Sequence, residues 1–335
     1  MQTTSFSGKG NLVAPAKVSQ DTPVAFRNVR RFLTGRIFIL LLLIALLMVA
    51  QIASHGAFMQ PRNLLNILAQ NSITGTLAVG QTIVILSGGI DLSLGSVTAL
   101  TSIVILLLQD YGPLVARTGG LGVGLICGMM NGFLVVVGRV PPFIASLGML
   151  QAALGLTYIV SRGYPVYEND HMTMFFGADT IGPVALIIVL WLLVTLVAWI
   201  LLSFTRFGSN VYAIGGNERA AITSGVNAGQ TKFLIYVIAG LCAAVAGIIS
   251  INRLGYSQPT VGASFTLDSI APVVLGGTSL LGGVGGVVST LFGVLVAGVL
   301  NNLMVLLGVN VYIEQIVQGT IILLFVFFFI RFQRR

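Results

Sequence analysis

Charge is the scarcest property of this chain. Of 335 residues only 8% are Asp, Glu, Lys or Arg, while 56% are hydrophobic. Soluble domains carry about 25% charged residues, so a water-exposed globular fold is excluded. Cysteine and histidine are nearly missing, with 2 of each. Cys127 and Cys242 both sit in apolar segments and read as buried thiols, not as a disulfide. His55 and His171 are too isolated to build a metal centre, so no metal ligand is assigned. The chain has no G-x-x-x-x-G-K-S/T, which excludes a phosphate-cradling loop for ATP. It has no Ser/His/Asp or Cys/His set and no H-E-x-x-H. No catalytic residue is therefore assigned, and the chain does not read as an enzyme. Embedded carboxylates or histidines for a proton relay are also lacking, apart from Asp91.

What the chain does have is long apolar segments. Ile37–Ala53, Ile181–Phe204 and Ile321–Ile330 are continuous. About 20 such residues cross a bilayer as a helix, whereas barrel strands alternate over about 10. The fold class is an all-α polytopic membrane protein. The 41 glycines suit close helix packing. The net charge of +8 follows the positive-inside pattern rather than a nucleic-acid footprint. Arg27, Arg30, Arg31 and Arg36 precede the first span, Arg331, Arg334 and Arg335 follow the last, and Arg206, Arg219 and Lys232 flank a polar island. All three groups read as cytoplasmic. The 162–182 loop carries Glu168, Asp170 and Asp179 and reads as external. The first apolar run is too long for a signal-peptide core, so residues 1–31 read as a cytoplasmic tail and 32–335 as the membrane domain.

The pattern predicts spans over about 34–54, 72–88, 94–109, 117–138, 143–160, 181–204, 231–251, 284–307 and 312–331, with a short interfacial helix over 61–70. Arg139-Val140-Pro141-Pro142 is a hard stop. Parity then requires the short apolar piece 269–282 to cross as a half-helix continued by glycine-rich backbone. The total is about ten crossings with both termini inside.

Two breaks share the pattern Gly-Gly-x-x-Leu-x-x-Gly, at Gly88–Gly95 and Gly276–Gly283. Irregular backbone at membrane depth is tolerated only inside protein or along a cavity, and paired interruptions point to a transport pathway or to packing. Asp91 has two compatible readings. It caps the start of the third span, together with Ser93, or it lines the route. Asp268 is a comparable cap for a half-helix starting near Ser269. Asn131, Asn301, Asn302 and Gln318 read as interhelix hydrogen bonds or as polar contacts in a channel. The candidate pathway set is Gly88, Gly89, Asp91, Ser93, Asn131, Gly276, Gly277, Thr278, Ser279, Asn301 and Asn302.

The polar island at 205–230 has a helix-forming centre, Glu218 to Ser224, with glycines on both sides. It is more than a turn requires and reads as a surface for a soluble partner. Its run Ala213-Ile214-Gly215-Gly216-Asn217-Glu218-Arg219-Ala220-Ala221-x-x-Ser224-Gly225 resembles the coupling loop of ribose/xylose/arabinose-type (monosaccharide) ABC transporter permeases. So do Gly80-Gln81-Thr82-x-Val84-Ile85-x-x-Gly88-Gly89-Ile90-Asp91-Leu92-Ser93-x-Gly95-Ser96 and Leu267-Asp268-Ser269-Ile270-Ala271-Pro272-Val273-Val274-Leu275-Gly276-Gly277-Thr278-Ser279-Leu280, followed by Asn301-Asn302-x-x-x-x-Leu307-Gly308-Val309. The similarity spans roughly 60 to 325. Thr266 replaces a frequent Glu, Pro272 a usual Ala, and Asn302-Leu303 a Gly-Leu. Asn227 is a further departure, near the end of the coupling motif.

The resemblance implies an ABC importer permease of the bacterial inner membrane. It implies a second permease subunit, a cytoplasmic ATPase that holds the ATP and magnesium, and a periplasmic sugar-binding protein. No cofactor is expected on this chain. Gly215, Gly216, Asn217, Glu218, Arg219, Ala220, Ala221, Ser224 and Gly225 are the expected coupling residues. Arg62, Arg162 and Arg253 are candidates for binding-protein docking or for interfacial anchoring. Two alternatives stay open: an ATP-independent secondary sugar carrier, and a same-class permease for a non-sugar solute.

Overall fold

The computed structural model describes the backbone of residues 24–169, 180–181, 184–310, 312–317 and 319–320, and their side chains from 39 onward except 180, 181 and 184. Arg27, Arg30, Arg31 and Arg36 (side chains), Asp170, His171, Asp179, Gln318 and the stretch from 321 lie outside the described residues. The helices are α1 (Val24–Ala53), α2 (Pro61–Leu86), α3 (Leu94–Leu107), α4 (Pro113–Val136), α5 (Pro142–Ser161), α6 (Leu186–Phe204), α7 (Arg206–Thr223), α8 (Ala228–Leu254), α9 (Gly262–Leu275) and α10 (Val287–Leu306). Residues 312–317 and 319–320 are helical as well. Four two-residue strands make two small antiparallel pairs: β1 (Val166–Tyr167) with β4 (Tyr256–Ser257), and β2 (Thr180–Ile181) with β3 (Val184–Ala185).

Among the described residues, α4, α5, α6, α8 and α10 are long and apolar enough to cross a membrane. The molecule is a polytopic helical membrane protein. Proline opens α2, α4 and α5 at the first turn, where its missing N–H has no helical acceptor to lose.

The centre of the bundle is α2 crossed by α8. Here the structure departs from the expected short interfacial helix over 61–70. Residues Pro61–Leu86 form one helix. Its polar middle does not break it, because Asn71, Ser72 and Thr76 return their side-chain donors to the carbonyls of Ile67, Leu68 and Ser72. The rest of the bundle then shields this helix from lipid. Trp191 of α6, fully buried, lies over Gly75, where any Cβ would overlap the indole. Small residues bring α4 onto α8 in the same way: a Cβ on Gly124 would overlap the carbonyl of Gly240.

Two short helices, α3 and α9, have 14 residues each. At 1.5 Å per residue each reaches about 21 Å, less than a full crossing. They begin back to back inside the bundle. A Cβ on Gly95 would overlap the carbonyl of Gly262, and a Cβ on Gly262 would overlap the carbonyl of Gly95. Helix α3 packs on α8, with Thr98 and Ser102 hydroxyls donating to the carbonyls of Ala243 and Gly247, while α9 packs on α2. Each follows a long helix closed by a left-handed glycine, Gly88 (φ 84°) after α2 and Gly255 (φ 71°) after α8. So α2–break–α3 and α8–break–α9 share one order of elements: a long helix, a left-handed glycine and a 14-residue helix.

The 87–93 break lies between α2 and α3, and the 276–283 motif lies in the connection from α9 to α10. The Asp268 reading is corrected. Helix α9 begins at Gly262, so Asp268 lies within it and caps nothing.

Side-chain and backbone pairs define two opposite ends. At one, Gln109 accepts from the Asn169 amide and donates to the Tyr167 carbonyl, and β1 pairs with β4. At the other, the end of α2 meets α7 and the 276–286 loop. Helix α6 connects the two ends.

Candidate functional site

The polar island folds into two helical pieces. Thr205 caps the first, its hydroxyl accepting from the Gly208 amide at 3.4 Å. Asn217 then leaves helical geometry (φ −161°, ψ 102°) and divides α7 into 206–216 and 218–223. The Asn217 Oδ1 accepts from the Ala220 amide at 3.0 Å, capping the second piece. Gly225 (φ 87°) closes it, with the Val226 amide donating to the Ala221 carbonyl at 3.0 Å. Asn227 caps α8 in turn through the Gln230 amide. The local sequence therefore writes a stop and a start on each side of one short helical turn.

That turn points outward. Gly216, Asn217, Glu218, Arg219, Ala220, Ser224 and Gly225 are exposed. Ala221 is buried against Ile214, Ala228 and Val226 and pins the turn to the bundle. Glu218 pairs with Lys232 of α8 at 2.6 Å. Both ends of that pair touch solvent, so Lys232→Ala is expected to cost at most about 1 kcal/mol. A thermal-melt shift of a few degrees at most checks this. Gly215, also an expected coupling residue, faces inward like Ala221, onto the Leu86 carbonyl.

Eight of the eleven expected pathway residues fall into three groups, and Gly88 lies against the Leu281–Gly282 backbone beside the second. Asp91, Ser93 and Asn131 form one buried cluster. Asp91 Oδ1 accepts from the Ser93 amide at 2.8 Å and from its hydroxyl at 2.6 Å. Asn131 Nδ2 donates to Ser93 Oγ at 3.0 Å and to Asp91 Oδ2 at 3.4 Å. The carboxylate thus sits at the N-terminus of α3, where helix-dipole charge favours it. Gly276 packs on the Ser289 and Thr290 backbone, and Thr278 and Ser279 are buried in the 276–286 loop. Asn302 exchanges two 2.9 Å hydrogen bonds with Asn63 at the far end of α10. Asn301 is half-buried.

Arg62, Arg162 and Arg253 are all exposed, at the end that carries β1 and β4. Glu168 lies at this end too, with its amide on the Gly255 carbonyl. Partial burial raises its carboxyl pKa, and the charge of Arg117 opposes that rise.

Sequence reasoning missed four contacts. Tyr212 donates to the Gly285 carbonyl at 3.0 Å. The Gly283 amide donates to the Leu86 carbonyl at 2.9 Å. Thr82 and Thr290 hydroxyls join α2 to α10 at 2.7 Å. The Thr266 hydroxyl donates to the Leu92 carbonyl at 3.1 Å. Only the doubled glycines Gly215-Gly216 and Gly282-Gly283 hinted that backbones meet there.

Comparison with known proteins agrees with this architecture. A model of the family described as "Branched-chain amino acid transport system / permease component" matches residues 63–326. The chain is 44% identical over 292 residues to the ribose import permease protein RbsC of Escherichia coli (strain K12), covering 84% of this chain and 90% of that protein. The chain belongs to the monosaccharide ABC permease family. The permease is also 41% identical over 292 residues to the RbsC protein of Bacillus subtilis (strain 168), covering 86% and 88%. It is 35% identical over 293 residues to the D-allose transport system permease protein AlsC of Escherichia coli (strain K12), covering 86% and 89%. All three relatives are named as transport components, and the matched span of the permease includes both short helices and the exposed turn.

Proposed function

We propose that this permease is the membrane subunit of a binding-protein-dependent ABC importer, moving a ribose-like pentose or a hexose inward. Two copies, or this chain and a second permease, form the pore. An ATPase holding ATP and magnesium docks in the cytoplasm on Gly216–Gly225, and a sugar-binding protein docks at the opposite end near Arg62, Arg162 and Arg253. In this arrangement the chain crosses the bacterial inner membrane ten times, both termini are cytoplasmic, 205–230 is the coupling loop and 162–182 is periplasmic. The observation that carries the reading is the exposed turn at 218–223, capped at both ends and held to the bundle by Ala221 and the Glu218–Lys232 pair. A rigid, polar knob on a membrane protein without a nucleotide site of its own fits a grip for an external motor.

Replacing Glu218-Arg219-Ala220-Ala221 by glycines tests it. Membrane insertion should persist, because the turn lies outside the apolar core, while ATPase co-purification and solute uptake should both be lost. Normal uptake would sink the docking assignment, and uptake in vesicles without any ATPase would favour a secondary carrier. The description of the matching family favours a second reading, a branched-chain amino acid or other non-sugar solute. Stimulation of transport by the cognate binding protein loaded with sugars or with amino acids separates the two.

A further inference from the structure

We infer that motor docking at the 218–223 turn reaches the interrupted helices through one cluster of backbone contacts, with Tyr212 as the residue that ties α7 to the loop before α10. This rests on the docking reading above and adds the route by which force leaves the docking turn.

Three segments converge with no side chain between them. The Leu86 carbonyl, at the last turn of α2, accepts from the Gly283 amide at 2.9 Å. A Cβ on Gly215 would overlap that same carbonyl. A Cβ on Gly282 would lie 2.9 Å from the Gly215 carbonyl oxygen and from the Gly88 amide, and one on Gly283 would lie 2.9 Å from the Gly216 amide. The end of α2, the end of the 206–216 piece and the 276–286 loop are therefore in direct backbone contact. Close-packed backbone has no rotamers to absorb a displacement, so movement of one segment displaces the others.

Tyr212 lies one helical turn before Gly215 and Gly216. Its hydroxyl donates to the Gly285 carbonyl at 3.0 Å. It also lines a cavity of about 180 Å3, together with Trp199, Leu202, Ser203 and the 285–288 stretch. The α7 piece is thus held firmly at its glycine end and has open volume beside its aromatic ring. Such a lever pivots at Gly215, and the Tyr212 hydroxyl decides whether the 276–286 loop follows. That loop joins α9 to α10, and both pack on α2, so its movement reaches α2 and the short helix α9 together. The docking turn begins at Asn217, immediately beyond the pivot.

The test uses the whole transporter, reconstituted in vesicles with its ATPase and binding protein. Tyr212→Phe removes only the hydroxyl. The ATPase should still co-purify and hydrolyse ATP, while solute moved per ATP should fall about fivefold to tenfold, the weight of one hydrogen bond. Gly215→Ala should uncouple further, and if it fails to fold the Tyr212→Phe ratio alone decides. An unchanged ratio in Tyr212→Phe overturns the inference, as does loss of ATPase binding in that variant. The four-glycine swap at 218–221 runs in parallel. If that swap retained the ATPase, the docking reading would fail, and the Tyr212→Phe ratio would still decide the contact.

Discussion

Gly262→Val is expected to prevent the permease from folding, and Gly262→Ala to lower its melting temperature markedly. The backbone of Gly262 lies against that of Gly95, and an added Cβ would overlap the Gly95 carbonyl and meet the Ala99 methyl. Neither neighbour is a flexible side-chain tip that could swing aside. Overpacking in a core costs about 1–3 kcal/mol when side chains can adjust, and more when they cannot. Against a total stability of about 5–15 kcal/mol, a valine at the crossing of two half-helices is beyond what the fold absorbs. Gly155→Ala in α5 is the matched control, because nothing lies within 4 Å of its added Cβ. It should be neutral or stabilise by up to about 1 kcal/mol through helix propensity. Monodispersity and melting in detergent measure both. A well-folded Gly262→Val would mean that α3 and α9 do not meet at their starts.

Asp91→Ala should be the second severe substitution, with Asp91→Asn much milder. Alanine leaves the Ser93 amide and hydroxyl without their acceptor, and the Asn131 amide without one of its two. Each stranded group in a buried site costs about 1–3 kcal/mol. Asparagine keeps one acceptor oxygen in the same place and removes a buried charge, so much of the loss is recovered. The melting order wild type, Asp91→Asn, Asp91→Ala is the expected result. If Asp91→Ala melted like wild type but no longer transported, the carboxylate would belong to the route and not to the start of α3.

Much of this architecture was legible because its cues are local. Pro113 and Pro142 open α4 and α5, and the glycines at 225 and 255 close the elements before them. Each acts within a few residues of itself. The exposed turn was legible for the same reason, since Asn217, Ala220, Ala221 and Gly225 make its caps among themselves. The unbroken run of α2 was not. Asn71 and Ser72 look like a break in composition, but in a bundle without competing water their side chains bond back to the preceding turn. The start of α9 was also hidden. No side chain caps its first turn, and its first residue packs on Gly95, far away in sequence.

The sequence by itself determined the solvent, the class of fold and the place of the exposed turn. Scarce charge, long apolar runs and capped polar residues act through transfer energies and short-range hydrogen bonds that do not depend on distant neighbours. The tertiary structure alone decided that the starts of α3 and α9 meet, at Gly95 and Gly262. It also decided what Asp91 bonds to and how the exposed turn reaches the core. Each of these depends on backbones meeting across long loops, and glycine records that such a meeting occurs without recording with whom.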